Sequence, residues 1–146
     1  MNPLTGGDTT IPAVKIKPVS GGALHTLFTA PLNSQVLARA PRGQIILFTV
    51  NNDTTHVAQL YRINTDGTAL KLLTSAKASY YTYDNYGDNS YLPWTNVSHD
   101  GKHYAILKGT NHTISLVIGN IDGGSPTTIA VSDNLILTHI VGWTTA

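Results

Sequence analysis

No cysteine occurs among the 146 residues. That removes disulfide frameworks, thiolate metal sites and thiol catalysis together, and it leaves the compartment open, since an extracellular protein can also lack the residue. Glutamate is missing too. Charged residues make up only 12% of the chain and the formal net charge is +1, so no broad field draws in nucleic acid or acidic lipid. The nine Lys and Arg are dispersed as Lys15, Lys17, Arg39, Arg42, Arg62, Lys71, Lys77, Lys102 and Lys108 and form no stripe that would track phosphates. No apolar run approaches the roughly 18 residues of a membrane helix, so membrane insertion is not expected. Met1 to Gly7 carry neither a basic nor an apolar stretch, and no signal peptide is read there. Helical periodicity is weak throughout.

What is present is β-forming. Hydrophobic residues account for 41% of the chain, enough for one modest domain with a core. Apolar segments are short, rich in β-branched residues and bounded by Gly, Pro, Asn and Asp. They predict strands at Val14–Val19, Leu24–Thr29, Val36–Ala40, Ile45–Val50, Gln59–Asn64, Leu70–Thr74, Trp94–Ser98, Tyr104–Lys108, Thr113–Asn120, Thr128–Val131 and Thr138–Trp143. Low charge with abundant Thr, Asn, Ser and Gly points to an extracytoplasmic (periplasmic or secreted) location.

Two turn types alternate. One is strand, tight turn, strand, with a glycine after Ser or Asp: Ser20-Gly21, Asp66-Gly67 and Asp122-Gly123. The other feeds an apolar strand: Arg42-Gly43 before Ile45 and Asp100-Gly101 before Tyr104. Each glycine is expected to supply the positive φ that a hairpin turn requires. Successive turn glycines lie 22, 24, 34 and 22 residues apart. Two alternating turns per period imply four strands per repeat, close to the roughly 40–45 residues of a propeller blade. The long interval marks an inserted segment at 76–93 within a repeat segment spanning 14–146, after an N-terminal tail at 1–13.

Ser98-His99-Asp100-Gly101-Lys102, followed by the apolar Tyr104-Ala105-Ile106, resembles the Ser-Pro-Asp-Gly-Lys turn of TolB-like (WD-repeat-like) β-propeller blades. Ile118 to Gly124 resembles the later blade turn, and Val141-Gly142-Trp143-Thr144 the start of another copy. His99 stands where the family has Pro, and Arg42 where it has Asp. The resemblance implies an all-β chain of antiparallel four-stranded blades, about two to three of them, either part of a larger propeller or closed into a ring by association of copies. It also implies a non-catalytic module that contacts another protein in the cell envelope. Two alternatives go with it: an accessory propeller of a prolyl-oligopeptidase-type hydrolase, whose catalytic domain lies elsewhere, and a lectin-like carbohydrate binder.

The candidate binding residues collect in and beside the insertion: Tyr80, Tyr81, Tyr83, Asp84, Tyr86, Asp88, Asn89, Tyr91 and Trp94. Tyr and Trp pair a large apolar body with a polar tip, which suits protein interfaces and sugar faces, and the Asp and Asn side chains can meet hydroxyls. The competing reading is a hairpin arm whose tyrosines pack on each other. Asp84 to Asn89 lacks the distal Glu and the spacing of a calcium loop. His99 and His103 have a metal-ligand spacing only on a helix, and Asp100-Gly101 between them marks a turn. No nucleophile elbow, phosphate loop or dinucleotide fingerprint occurs, so no catalytic residue, cofactor or metal is expected. Asn52-Asp53-Thr54, Asn96-Val97-Ser98 and Asn111-His112-Thr113 match glycosylation sequons, attributed here to composition.

Overall fold

The computed structural model describes residues 11–39, 41–82, 96–132, 140 and 142–144, and among these the regular structure is entirely β-strand. Strands β1 (Ala13–Ile16) and β2 (His25–Thr29) form a two-stranded sheet. A four-stranded sheet follows from β3 (Ser34–Ala38), β4 (Ile45–Asn52), β5 (Val57–Asn64) and β6 (Lys71–Lys77). A second is made by β7 (Tyr80–Thr82), β8 (His103–Gly109), β9 (Ile114–Asn120) and β10 (Thr127–Ser132). Both run in chain order with every pair antiparallel, and no sheet closes on itself. The four-strand unit expected from the turn glycines is therefore present twice in succession.

The turns carry this regularity. Gly21, Gly43, Gly67, Gly101 and Gly123 have φ of 95°, 59°, 86°, 72° and 101°. At Gly67 the reason is explicit. Its N–H donates to the Asn64 carbonyl at 2.9 Å while the Asn64 N–H donates to the Thr68 carbonyl at 2.8 Å, a three-residue hairpin loop whose last position favours glycine. Asp66 accepts from both the Thr68 N–H and hydroxyl, at 2.9 and 2.6 Å.

The sheets stack in chain order because their middle strands are apolar on both faces. Leu47, Ala58, Leu60 and Leu73 of the first four-stranded sheet meet Tyr81, Val97, Tyr104, Ile106 and Val117 on the side of the second. The alternate residues Ile46, Phe48, Val50 and Ile63 turn the other way, onto Val14 and Ala30. There Phe48 stacks on Tyr61 at 5.2 Å between ring centroids, and Phe28 of β2 leans on both rings. The outer face of the last sheet, with Ala105, Leu107 and Ile114, is covered by Ile140 and Trp143. Fully burying one such large side chain contributes about 1.5–3 kcal/mol.

The structure departs from the sequence reading chiefly around the insertion. The strand expected to end at Thr74 continues through Lys77, with Ala76 packed against the core. Tyr80–Thr82, expected within the inserted loop, is strand β7. The reversal between them uses Ala78 at φ 53°, its N–H donating to the His56 carbonyl at 2.8 Å. No Gly or Pro marks that turn, so local propensity does not reveal it. Of the strand expected at Trp94–Ser98, the described residues Asn96 to Ser98 make a single bridge, Val97 opposite Tyr104. Ala13, expected in the tail, opens β1. Ile140, Gly142 and Trp143, from the last expected strand, lie outside any strand.

Candidate functional site

Three connections gather at one end of the two four-stranded sheets: Asp53 to His56 between β4 and β5, Ala78 to Ser79 between β6 and β7, and Thr110 to Thr113 between β8 and β9. With the strand ends Asn51, Asn52, Tyr80 and Gly109 they enclose a cleft of about 640 Å³. The glycine-bearing turns Gly43, Gly67, Gly101 and Gly123 lie in the connections that alternate with these, at the opposite strand ends.

The cleft walls are fixed by internal hydrogen bonds. The Asn52 side-chain carbonyl accepts from the Thr54 and Thr55 N–H groups at 3.0 and 2.8 Å, and its amide donates to the Ser34 hydroxyl at 3.3 Å. The His56 N–H donates to the Asn52 carbonyl and the Asp53 N–H to the Asn33 carbonyl, both at 2.9 Å. The Thr110 N–H and hydroxyl both donate to the Thr113 carbonyl, at 3.0 and 3.3 Å. Behind these loops, the buried Asn51 amide exchanges two hydrogen bonds of 3.0 Å with the main chain of Tyr81. That contact ties the central strand of one sheet to the first strand of the next.

Asp53, His56 and Asn111 are exposed on the cleft rim. Tyr80 lies half-buried with its ring over Gly109, which it faces across the β7–β8 pair. Burial raises the Tyr80 hydroxyl above the ordinary tyrosine value, so it is a neutral donor at any ordinary pH. Among the described residues no lysine or arginine lines the cleft.

The residues expected to form the binding surface are divided by the fold. Tyr80 lines the cleft. Tyr81 is 2% exposed and belongs to the core, because alternation along β7 turns it toward Leu60 and Tyr104. Tyr83, Asp84, Tyr86, Asp88, Asn89, Tyr91 and Trp94 lie outside the described residues. The ends of that segment are nevertheless well placed. Thr82 pairs with Leu107, and the Ala105 N–H donates to the Asn96 carbonyl at 2.9 Å. Both flanks therefore lie against β8.

The turn at His99 to His103 has its polar atoms assigned. The Ser98 hydroxyl donates to Asp100 at 2.5 Å, the Lys102 N–H to the same carboxylate at 3.0 Å, and the His103 N–H to the Ser98 hydroxyl at 3.0 Å. These bonds hold the Asp100 carboxyl below its usual range. His99 Nδ1 faces Arg42 at 2.9 Å, so equivalent turns of successive units touch. The next pair of turns also reaches across, since Lys71 donates to the Asp122 carbonyl.

The cleft is not among the sites expected from the sequence, although two of its loops carry the sequons Asn52-Asp53-Thr54 and Asn111-His112-Thr113. Their recurrence in the polar turns of two successive units was the available signal, since equivalent turns of stacked sheets fall at one end. Asn96, of the third sequon, is buried and donates to the Ala105 carbonyl at 2.8 Å. No family model matches the chain, and neither a curated protein nor a solved structure does. Among the described residues no helix is long and apolar enough to cross a membrane.

Proposed function

We propose that the chain is a non-catalytic protein-interaction module built on β-propeller-type blades, of the TolB-like kind, working outside the cytoplasm. The observation that carries this reading is that Thr82 and Asn96, which flank the Tyr-rich sequence 83–95 in the chain, both contact β8. A stiff stack of sheets that keeps its pairing around an added Tyr-rich segment is suited to presenting that segment to a partner. Two successive four-stranded meanders stacked face to face, with like turns in contact, support the blade reading.

The test pairs the wild-type chain with a Tyr83→Ala/Tyr86→Ala variant, both immobilised against an envelope extract of the source cells. Any retained protein is then purified and its affinity measured directly. A defined partner that binds wild type and loses at least tenfold in affinity for the variant is the expected result, since removing two interface tyrosines costs about 1.4 kcal/mol or more. Equal binding by both chains would move the contact elsewhere, and no specific binding by folded wild type would refute the reading.

A further inference from the structure

We infer that the cleft between the two four-stranded sheets is a binding site for a neutral, polyhydroxylated ligand of saccharide type. The lining residues on which it rests all lie outside 83–95 in the sequence. The size fits: about 640 Å³ lies within the roughly 300–1,000 Å³ of small-molecule pockets.

The chemistry of the lining selects the ligand class. Asp53, His56 and Asn111 stand exposed on the rim, and none of them is committed to a hydrogen bond from its side chain among the described residues. They offer an acceptor-only carboxylate, an imidazole and an amide, and the last two both donate and accept. Vicinal hydroxyls, each a donor and an acceptor, match such a mixed set. The Tyr80 ring adds an apolar surface of the kind that sugar C–H faces meet. With no lysine or arginine among the described lining residues and the Asp53 carboxylate on the rim, the cleft has no permanent positive charge to pair a phosphate or a carboxylate. A single Asp carboxylate falls short of the six to eight oxygens a calcium ion takes.

The backbone supplies an independent observation. Among the described residues four non-glycine residues have positive φ, and two of them, His56 at 54° and Ala78 at 53°, line this cleft. A third, Asn33 at 56°, accepts from the Asp53 N–H. Left-handed backbone at a non-glycine residue is costly and gathers at ligand-holding sites. Here it shapes the β4–β5 loop of the first four-stranded sheet and the connection from that sheet to the next, and the cleft walls are set before any ligand arrives.

Amide-resolved NMR titration tests the site. The probes are maltotriose, cellotriose, mannotriose and triacetylchitotriose, with inorganic phosphate as the charged comparison. The proteins are the wild-type chain, Asp53→Ala, Asn111→Ala and, at the opposite end, Lys102→Ala. All three replaced residues are exposed, and circular dichroism checks that the variants fold. At least one trisaccharide is expected to shift the amides of Asp53, Ser79, Tyr80 and Asn111. Asp53→Ala and Asn111→Ala should each weaken that binding about tenfold, with Lys102→Ala unchanged. The site is overturned if no trisaccharide moves those amides, if the shifts survive both cleft substitutions, or if phosphate binds there more tightly than every sugar. None of these results bears on partner capture by the aromatic segment, which Asp53→Ala and Asn111→Ala leave intact.

Discussion

The side-chain amide of Asn51 stands in for a strand against Tyr81: its Nδ2 donates to the Tyr81 carbonyl and its Oδ1 accepts from the Tyr81 N–H, each at 3.0 Å. Asn51 is 8% exposed, and the pair joins β4 of one sheet to β7 of the next where no main-chain ladder runs between them. Within the sheet interface most other contacts are between apolar side chains, which resist sliding weakly. A directional pair of bonds sets their register.

Asn51→Ala is expected to destabilise the fold by about 3 kcal/mol, because it leaves a buried N–H and a buried carbonyl without partners. Asn51→Asp at neutral pH should do at least as badly, since a carboxylate cannot donate to the Tyr81 carbonyl and carries a charge into the sheet interface. Its deficit should shrink as the pH is lowered toward carboxylate protonation. Urea unfolding measures both, and hydrogen exchange at the Tyr81 amide locates the effect.

Tyr104 gives a pH signature. Burial, with a smaller contribution from neighbouring Tyr81, pushes its hydroxyl from the ordinary 10.0 up to about 12. The folded state therefore keeps this proton after the unfolded chain has lost it. The stability it contributes is fully present below pH 10 and is lost as the pH rises through about 12. The hydroxyl is buried with no hydrogen-bond partner among the described residues. Tyr104→Phe should thus be neutral or stabilising by up to about 1 kcal/mol at pH 7, with a shallower alkaline decline. A steeper decline in the variant would contradict the assignment.

Glycine should be preferred over alanine at both of two left-handed turn positions, so exchanging the residue types should have effects of opposite sign. Gly67 has φ 86° and Ala78 has φ 53°. Gly67→Ala is expected to cost about 1–2 kcal/mol, the penalty of a Cβ in left-handed backbone. Ala78→Gly should be neutral or stabilising by up to about 1 kcal/mol, relief of the same strain being offset by added freedom in the unfolded chain. Thermal unfolding of the two single variants tests the contrast.

Two cross-strand pairs place a tyrosine ring over a glycine: Tyr80 over Gly109 and Tyr104 over Gly119. A Cβ at either glycine would collide with the ring. Gly119→Ala should cost about 1–3 kcal/mol by overpacking. The double variant Gly119→Ala/Tyr104→Ala should show a favourable coupling in a double-mutant cycle, whereas Tyr104→Phe, which keeps the ring, should not rescue it.

The parts of the fold that were legible are those governed by neighbours along the chain. Asp66-Gly67 and Asp100-Gly101 announced their hairpins because glycine accepts positive φ and an Asp side chain closes the turn. The period of these turns announced four strands per unit. The reversal at Ala78 was hidden, because its left-handed backbone is held by a bond to the distant His56 carbonyl rather than by residue type. Tyr80 and Tyr81 were read together as surface aromatics. Their alternation along a short strand sends one to the cleft and the other into the core, and that division follows only once Tyr80–Thr82 is known to pair with β8.

The sequence alone pointed to an all-β chain whose turn-linked strands recur in units of four. These features follow from periodicity and from turn residues whose conformational needs are local. The tertiary structure decided which faces meet, that an Asn amide would bind the next sheet's main chain, and that Asp53, His56 and Asn111 would share one cleft. Those outcomes depend on stacking one sheet upon the next, which brings together residues that no local spacing relates.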